Sequence, residues 1–257
     1  MNRLVTRQLS TIIGVQTRRI FRIWQQTIIP SAVTAALYFI VFGEILNIQS
    51  SHIKAESYTQ YIAPGLVMMT IINNSFTNAA FVLFSHKFMR HIEELMVAPI
   101  SNHTILIGFV TSSMIRSIIT GTLVLLVAQY FTPLPIRNPI ICIITVLMTA
   151  SLFSLLGLIN GLWGKSFDDM STIPTFILTP LIYLSGIFYP ISALPDSWQT
   201  VALLNPIAHI NRAFRYCFLS TQNSDIWLTL AIILSFNIVG YITVYQISLN
   251  RNRFKID

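Results

Sequence analysis

Six stretches of this chain stay apolar for longer than an element of a soluble core needs to. They run from about Ile28 to Ile48, Ile62 to Phe84, Thr104 to Phe131, Pro139 to Trp163, Ser171 to Pro190 and Ile226 to Ser248. At ~1.5 Å per residue, helices of these lengths can cross a hydrocarbon layer ~30 Å thick. Glu44 and Arg116 are the only charged residues inside the six runs. In lipid, backbone amides must be hydrogen-bonded within their own element, and short alternating strands that would signal a barrel are absent from the sequence. The prediction is an all-α, polytopic membrane protein with six transmembrane helices. A mean hydropathy of +0.67 and a charged content of 10% agree with that class.

The net charge of +7 would be compatible with nucleic-acid binding if its residues were clustered on one exposed domain. They follow the spans instead. With the N-terminus inside, the cytoplasmic segments carry 11 of the 16 basic residues: Arg3, Arg7, Arg18, Arg19, Arg22, Lys87, Arg90, Lys165, Arg251, Arg253 and Lys255. The outer segments carry four, Lys54, Arg137, Arg212 and Arg215, and Arg116 lies within a span. This bias puts both termini in the cytoplasm and argues against a nucleic-acid partner. Residues 1–27 mix arginines with paired apolar residues and Trp24, the pattern of an amphipathic helix lying in the interface against anionic lipid. No small-residue cleavage site follows, so the first apolar run is expected to be a retained anchor. Cys142 and Cys217 both fall toward the outer side and are read as small hydrophobes rather than a disulfide.

Polar residues inside the spans are informative because each is costly there. Asn73, Asn74, Thr77 and Asn78 recur at one-turn spacing, a stripe that serves either as interhelical glue or as a wall of a watery path. Arg116 has to face protein, water or a headgroup; it meets either an anionic substrate or a structural partner. Gly157 and Gly161 form a small-residue face for close helix approach. The following Gly164, Lys165 and Ser166 look like the end of a phosphate-binding loop, but Ile159 stands where such a loop needs glycine. That site is rejected. Pro174 and Pro180 interrupt the fifth span, and residues 194–220 are too apolar for a solvated loop, which suggests an outer re-entrant helical hairpin.

The segment HKFMRHIEELMVAP, residues 86–99, is a burst of charge between two apolar runs. Phe88, Ile92, Leu95 and Met96 share one helical face, while Lys87, Arg90, His91, Glu93 and Glu94 fill the other. Ser85 can cap such a helix and Pro99 stops it, giving a short element over about 86–98 that cannot span. On the predicted topology it is cytoplasmic, and a mixed-charge face suits register against a protein better than binding to lipid.

This segment, with YIAPGLVMM at Tyr61–Met69, GKSFDDMSTIPTFILTPLIYLSGIFYP at Gly164–Pro190 and LNPIAHINRAFRY at Leu204–Tyr216, resembles the bacterial ATP-binding-cassette permeases of the second, polysaccharide- and drug-export type, in particular inner-membrane permeases of the YadH type. The resemblance covers nearly the whole chain. It implies a single permease domain over residues 1–257 that forms a homodimer in the inner membrane and docks two copies of a separate cytoplasmic ATPase, which binds the ATP and magnesium. The permease itself then holds no cofactor. The resemblance also makes the helix after the second span a coupling helix, with Phe88, Arg90, Ile92, Glu93, Glu94 and Leu95 at the ATPase, and places Phe167, Asp168 and Asp169 in a second cytoplasmic loop near the same partner. The outer hairpin would cap the exit of the path.

The residues offer no plausible nucleophile and base pair and no metal cluster, so a catalytic role for this chain is not expected. The competing reading is a membrane-embedded enzyme or assembly factor for lipid-linked substrates, with Arg116, Asn73 and Asn74 as its site. Tyr183, Phe188 and Tyr189 would suit sugar stacking but also belong to any outer membrane interface. Glycan, lipid and drug-like cargo stay open.

Overall fold

The computed structural model describes residues 2–41, 58–219 and 226–249. Glu44 and the rest of the first expected span beyond residue 41, Lys54, residue 220 of the expected hairpin, and Arg251, Arg253 and Lys255 lie outside the described residues. The elements in chain order are α1 (Asn2–Arg22), α2 (Trp24–Thr27), α3 (Ile29–Ile40), α4 (Tyr58–Phe88), α5 (His91–Val97), α6 (Asn102–Phe131), α7 (Pro139–Trp163), α8 (Phe167–Ile173), α9 (Thr179–Leu184), α10 (Asp196–Leu204), α11 (Pro206–Tyr216) and α12 (Ile226–Leu249). The fold among these residues is all-α. Among the described residues four helices, α4, α6, α7 and α12, are long and apolar enough to cross a membrane.

α4 is the central post, packed on α7 along one side and α6 along another. Its approach to α7 depends on the small face expected from the sequence: a Cβ on Gly157 would collide with the carbonyl of Phe76, and one on Gly161 would lie 2.9 Å from that of Ala80. Backbone carbonyls cannot swing aside, so glycine here sets the interhelical distance. α12 closes the outside of α7, while α1 lies along α6.

The region expected as the fifth span is helical from Phe167 to Leu184, which at ~1.5 Å per residue is ~27 Å long. Its prolines do not break it. A π-helical turn at Pro174–Leu178 absorbs the missing donors, and the Thr179 N–H reaches back five residues to Pro174 O. The helix does stop earlier than Pro190. Ser185 ends it, and Gly186 at φ +76° turns the chain in a conformation that disfavours a side chain.

α10 and α11 then follow, joined at Asn205, whose Oδ1 accepts from Ile207 N at 3.0 Å and whose Nδ2 donates to Leu181 O at 2.6 Å. α11 is buried among α4, α7, α9 and α12, while Trp198, Val201 and Leu204 of α10 are exposed.

Candidate functional site

At the other end of α4 the charged segment does not form one helix over residues 86–98. α4 continues through Phe88, so Ser85 is buried inside it and caps nothing. The break is at Arg90, which adopts the left-handed conformation (φ 59°, ψ 9°), and α5 starts at His91. Ala98 is extended, as a residue before proline tends to be, and ends α5. Ser101 then caps α6 through Thr104 N.

The break re-sorts the expected faces. Ile92 is 1% exposed and joins a buried cluster with Leu83, Ile105, Leu106 and Phe109, against which Leu95 packs. Phe88, now at the end of α4, is exposed, as are Arg90 and Val97. Glu94 points to solvent beside His91, 3.9 Å away. Glu93 sits in the middle of α5. Lys87 departs most from expectation. Placed on the polar face by periodicity, it is 6% exposed, and its Nζ donates to Leu162 O and Gly164 O, both at 3.1 Å. Those carbonyls belong to the end of α7, where a helix leaves acceptors unpaired and a cationic residue is favoured.

Lys87 thereby joins the end of α4 to the start of the second candidate loop. Phe167, the first residue of α8, sets its ring edge-on to Phe84 at 4.9 Å and to Phe88 at 5.1 Å. α8 starts with a reciprocal cap: Asp169 N donates to Ser166 Oγ, while Ser166 N and Lys165 N donate to Asp169 Oδ2 at 3.0 and 2.8 Å. These two N–H groups hold the Asp169 carboxyl below its usual range. Asp168 next to it is exposed. The residues expected at the ATPase from two distant segments, Phe88 and Phe167, thus meet in one aromatic patch.

α1 braces the same region on its other flank. Gln16 Nε2 lies 2.8 Å from His86 Nε2, before α5, and Gln8 Nε2 donates to Pro99 O at 3.2 Å, after it. Ile12 between them fits against Gly108 of α6, where no Cβ could be added without displacing it. Among the described residues, no group of three or more His, Cys, Asp or Glu side chains is placed to hold a metal ion.

The stripe in α4 divides in two. Asn73 and Asn74 donate to the carbonyls of Met69 and Thr70 one turn back. With Ser31, Thr34, Tyr38 and Thr70 they line a cavity of about 220 Å³ between α3 and α4 that carries hydroxyl and amide groups but no charge. Asn78 faces α6 instead. Its Nδ2 donates to Ser113 Oγ at 3.0 Å and its Oδ1 accepts from Arg116 Nη1 at 2.7 Å. Arg116 is thus held by Asn78 and not by Asn73 or Asn74; Thr77 is half-buried on the same helix. Tyr183, Phe188 and Tyr189 come together at the far end: the first two rings are 5.7 Å apart, Phe188 is 5.9 Å from Tyr38, and Tyr189 Oη donates to Tyr183 O. Arg215, counted from sequence as a charge of the outer loop, is buried. Its guanidinium lies 3.8 Å over the Tyr61 ring and donates to Tyr61 Oη and Gly186 O. Its placement on the apolar side of an amphipathic helix was the available signal.

Comparison with known proteins decides the family. The profile of the ABC-2 type transporter family matches residues 7–219. The chain belongs to the ABC-2 type transporter family. It is 39% identical over 239 residues, 93% of each chain, to the inner membrane transport permease YadH of Escherichia coli K12. More distant relatives are the nodulation protein J of Rhizobium leguminosarum bv. viciae, 21% identical over 88% of this chain and 89% of the relative, and that of Bradyrhizobium diazoefficiens, 23% identical over 67% and 66%. This ABC-2 permease is the transmembrane subunit of an ATP-binding-cassette transporter and a multi-pass protein of the inner membrane.

Proposed function

We propose that this ABC-2 permease exports its cargo as a homodimer driven by two copies of a separate cytoplasmic ATPase, which carries the ATP and magnesium. In this reading there are six spans, α3 and the helix over residues 171–184 joining the four long ones, and both termini are cytoplasmic. α1 lies in the inner interface against membrane lipid. α5 is the coupling helix, and the α10–α11 hairpin re-enters the outer half of the membrane. The permease does no chemistry.

One observation carries this reading: Phe88 and Phe167, 79 residues apart in sequence, share an exposed ring contact beside α5, underpinned by Lys87. An exposed aromatic pair, with exposed Arg90 and Asp168 close to its two members in sequence and exposed Glu94 on the following helix α5, has the composition of a protein-binding surface, which combines apolar anchors with charge. ATPase closure would push α5, and α5 would carry α4 with it through the Ile92 cluster, shifting the bundle between inward- and outward-open populations. Asn73, Asn74, Asn78, Arg116 and the Tyr183, Phe188 and Tyr189 group are the pathway or dimer-seam residues of this mechanism.

The test is stimulation of the co-purified ATPase by the reconstituted permease. Glu93→Ala/Glu94→Ala and Phe88→Ala/Phe167→Ala variants are expected to insert and remain folded but lose stimulation. Turnover of a lipid-linked substrate by the permease alone, or failure to recover any ATPase from intact membrane extracts, would favour the membrane-enzyme reading instead.

A further inference from the structure

The permease has two cysteines, and the fold brings them together from opposite sides of a 75-residue interval. Cys142 lies in the first turn of α7, and Cys217 closes the last turn of α11. The backbone around them is stitched across the gap. Arg137 N and Asn138 N both donate to Cys217 O, at 2.9 and 3.5 Å, and Cys142 N donates to Asn138 O at 3.1 Å. Cys217 Sγ donates to Ala213 O at 3.4 Å, both cysteines are free thiols, and the two side chains are neighbours across this gap. Cys217 is fully buried, while Cys142 is half-buried on the wall of an apolar cavity of about 200 Å³.

Two isolated cysteines in apolar surroundings would ordinarily be small hydrophobes. Their meeting changes this. In the orientation proposed above, this end of α7 faces the outer side of the inner membrane, where thiols are oxidised rather than kept reduced.

We infer that Cys142 and Cys217 form a disulfide that clamps the inner arm of the outer hairpin to the start of α7; this rests on the proposed orientation. The more exposed Cys142 thiolate attacks one sulfur of the disulfide of a thiol oxidoreductase, releasing the other as a thiolate and forming a mixed disulfide. The Cys217 thiolate then displaces the oxidoreductase sulfur from Cys142. One new S–S bond forms in the permease, the oxidoreductase leaves as a dithiol with the two electrons, and the two thiol protons are passed on. The bond would sit two residues beyond Arg215, whose contacts with Gly186 and Tyr61 already anchor this end of α11. α10, with Trp198 and Leu204 exposed, would remain the mobile arm of the hairpin.

The experiment uses the full-length permease in membranes, acid-quenched and alkylated with a mass-tagged maleimide in denaturant, before and after dithiothreitol. The expected result is no tag before reduction and two tags after it, with Cys142→Ser leaving one thiol that tags without reduction. A Ser197→Cys probe in a Cys142→Ser/Cys217→Ser background, labelled with a membrane-impermeant maleimide, reports orientation separately. Two tags on the unreduced protein, with Ser197→Cys labelled from outside, overturn the disulfide alone. Two tags with Ser197→Cys reached only from the cytoplasmic side overturn the orientation as well.

Discussion

Lys87, in the last turn of α4, donates from Nζ to Gly164 O at 3.1 Å and so joins the end of α4 to the end of α7. Leu162 O accepts from the same atom at the same distance. Both carbonyls are among those a helix C-terminus leaves unpaired, and at this site Lys87 takes the place of water.

Lys87→Met, which keeps the volume and removes the donor, is therefore expected to cost about 2 kcal/mol, the range for losing a buried hydrogen bond to a charged group. Lys87→Arg should recover part of that. Thermal unfolding of the purified permease in detergent reads the effect. An unchanged midpoint for Lys87→Met would mean that the two carbonyls find another donor.

Arg116 and Asn78 pose a different question, because a guanidinium at membrane depth can be held for structure or kept for cargo. The 2.7 Å bond to Asn78, itself bonded to Ser113, points to α4–α6 registration. A double-mutant cycle of Asn78→Leu and Arg116→Leu should then show a coupling energy of about 1 kcal/mol, within the range found for polar pairs between membrane helices. Additive effects on stability would remove Asn78 as the structural partner.

How much of this was readable beforehand differs by element. α7 occupies Pro139–Trp163, the limits of the fourth apolar run, because proline at the first helical position and glycine just past the last one are local signals. The Gly157–Gly161 face was equally legible, since small residues four apart mean the same thing on any helix. Lys87 was not. Periodicity assumes that a helix begins where its pattern begins, whereas here α4 overran by three residues into the charged segment and carried Lys87 onto a buried face. The Arg116–Asn78 bond was also out of reach. Both residues stood out in the sequence, but pairing them requires the register of α4 against α6, which neither helix encodes alone. The Phe88–Phe167 contact failed in the same way, while the family resemblance had already placed both residues near one partner.

Arg90 separates a backbone role from a contact role. At φ 59° a residue with a side chain carries a cost of ~1–2 kcal/mol that glycine does not. Arg90→Gly should raise stability by about 1 kcal/mol, whereas Arg90→Ala keeps the strain and should leave it near wild type. Both remove the exposed guanidinium. If that group contacts the ATPase, both variants lose stimulation to a similar degree despite their different backbone effects. Loss of stimulation in Arg90→Gly alone would instead identify turn rigidity as the requirement.

Asp169 makes the cap of α8 sensitive to acid. Its carboxylate accepts from Lys165 N and Ser166 N, and these bonds lower its folded pKa below the ordinary value of 3.8. A lowered folded value means that the charged form is the one the fold favours. The contribution is fully present above pH 3.8 and disappears as the pH falls through the folded value below it. Amide exchange of Lys165 and Ser166 reports this directly, once rates are corrected for intrinsic pH dependence. Protection should be flat from neutral pH to near 3.8 and decline only below it, and Asp169→Ala should show low protection throughout. Protection that starts to fall well above pH 4 would mean that the carboxylate is not held by these two amides, and the reciprocal cap that orients Phe167 toward Phe88 would lose its support.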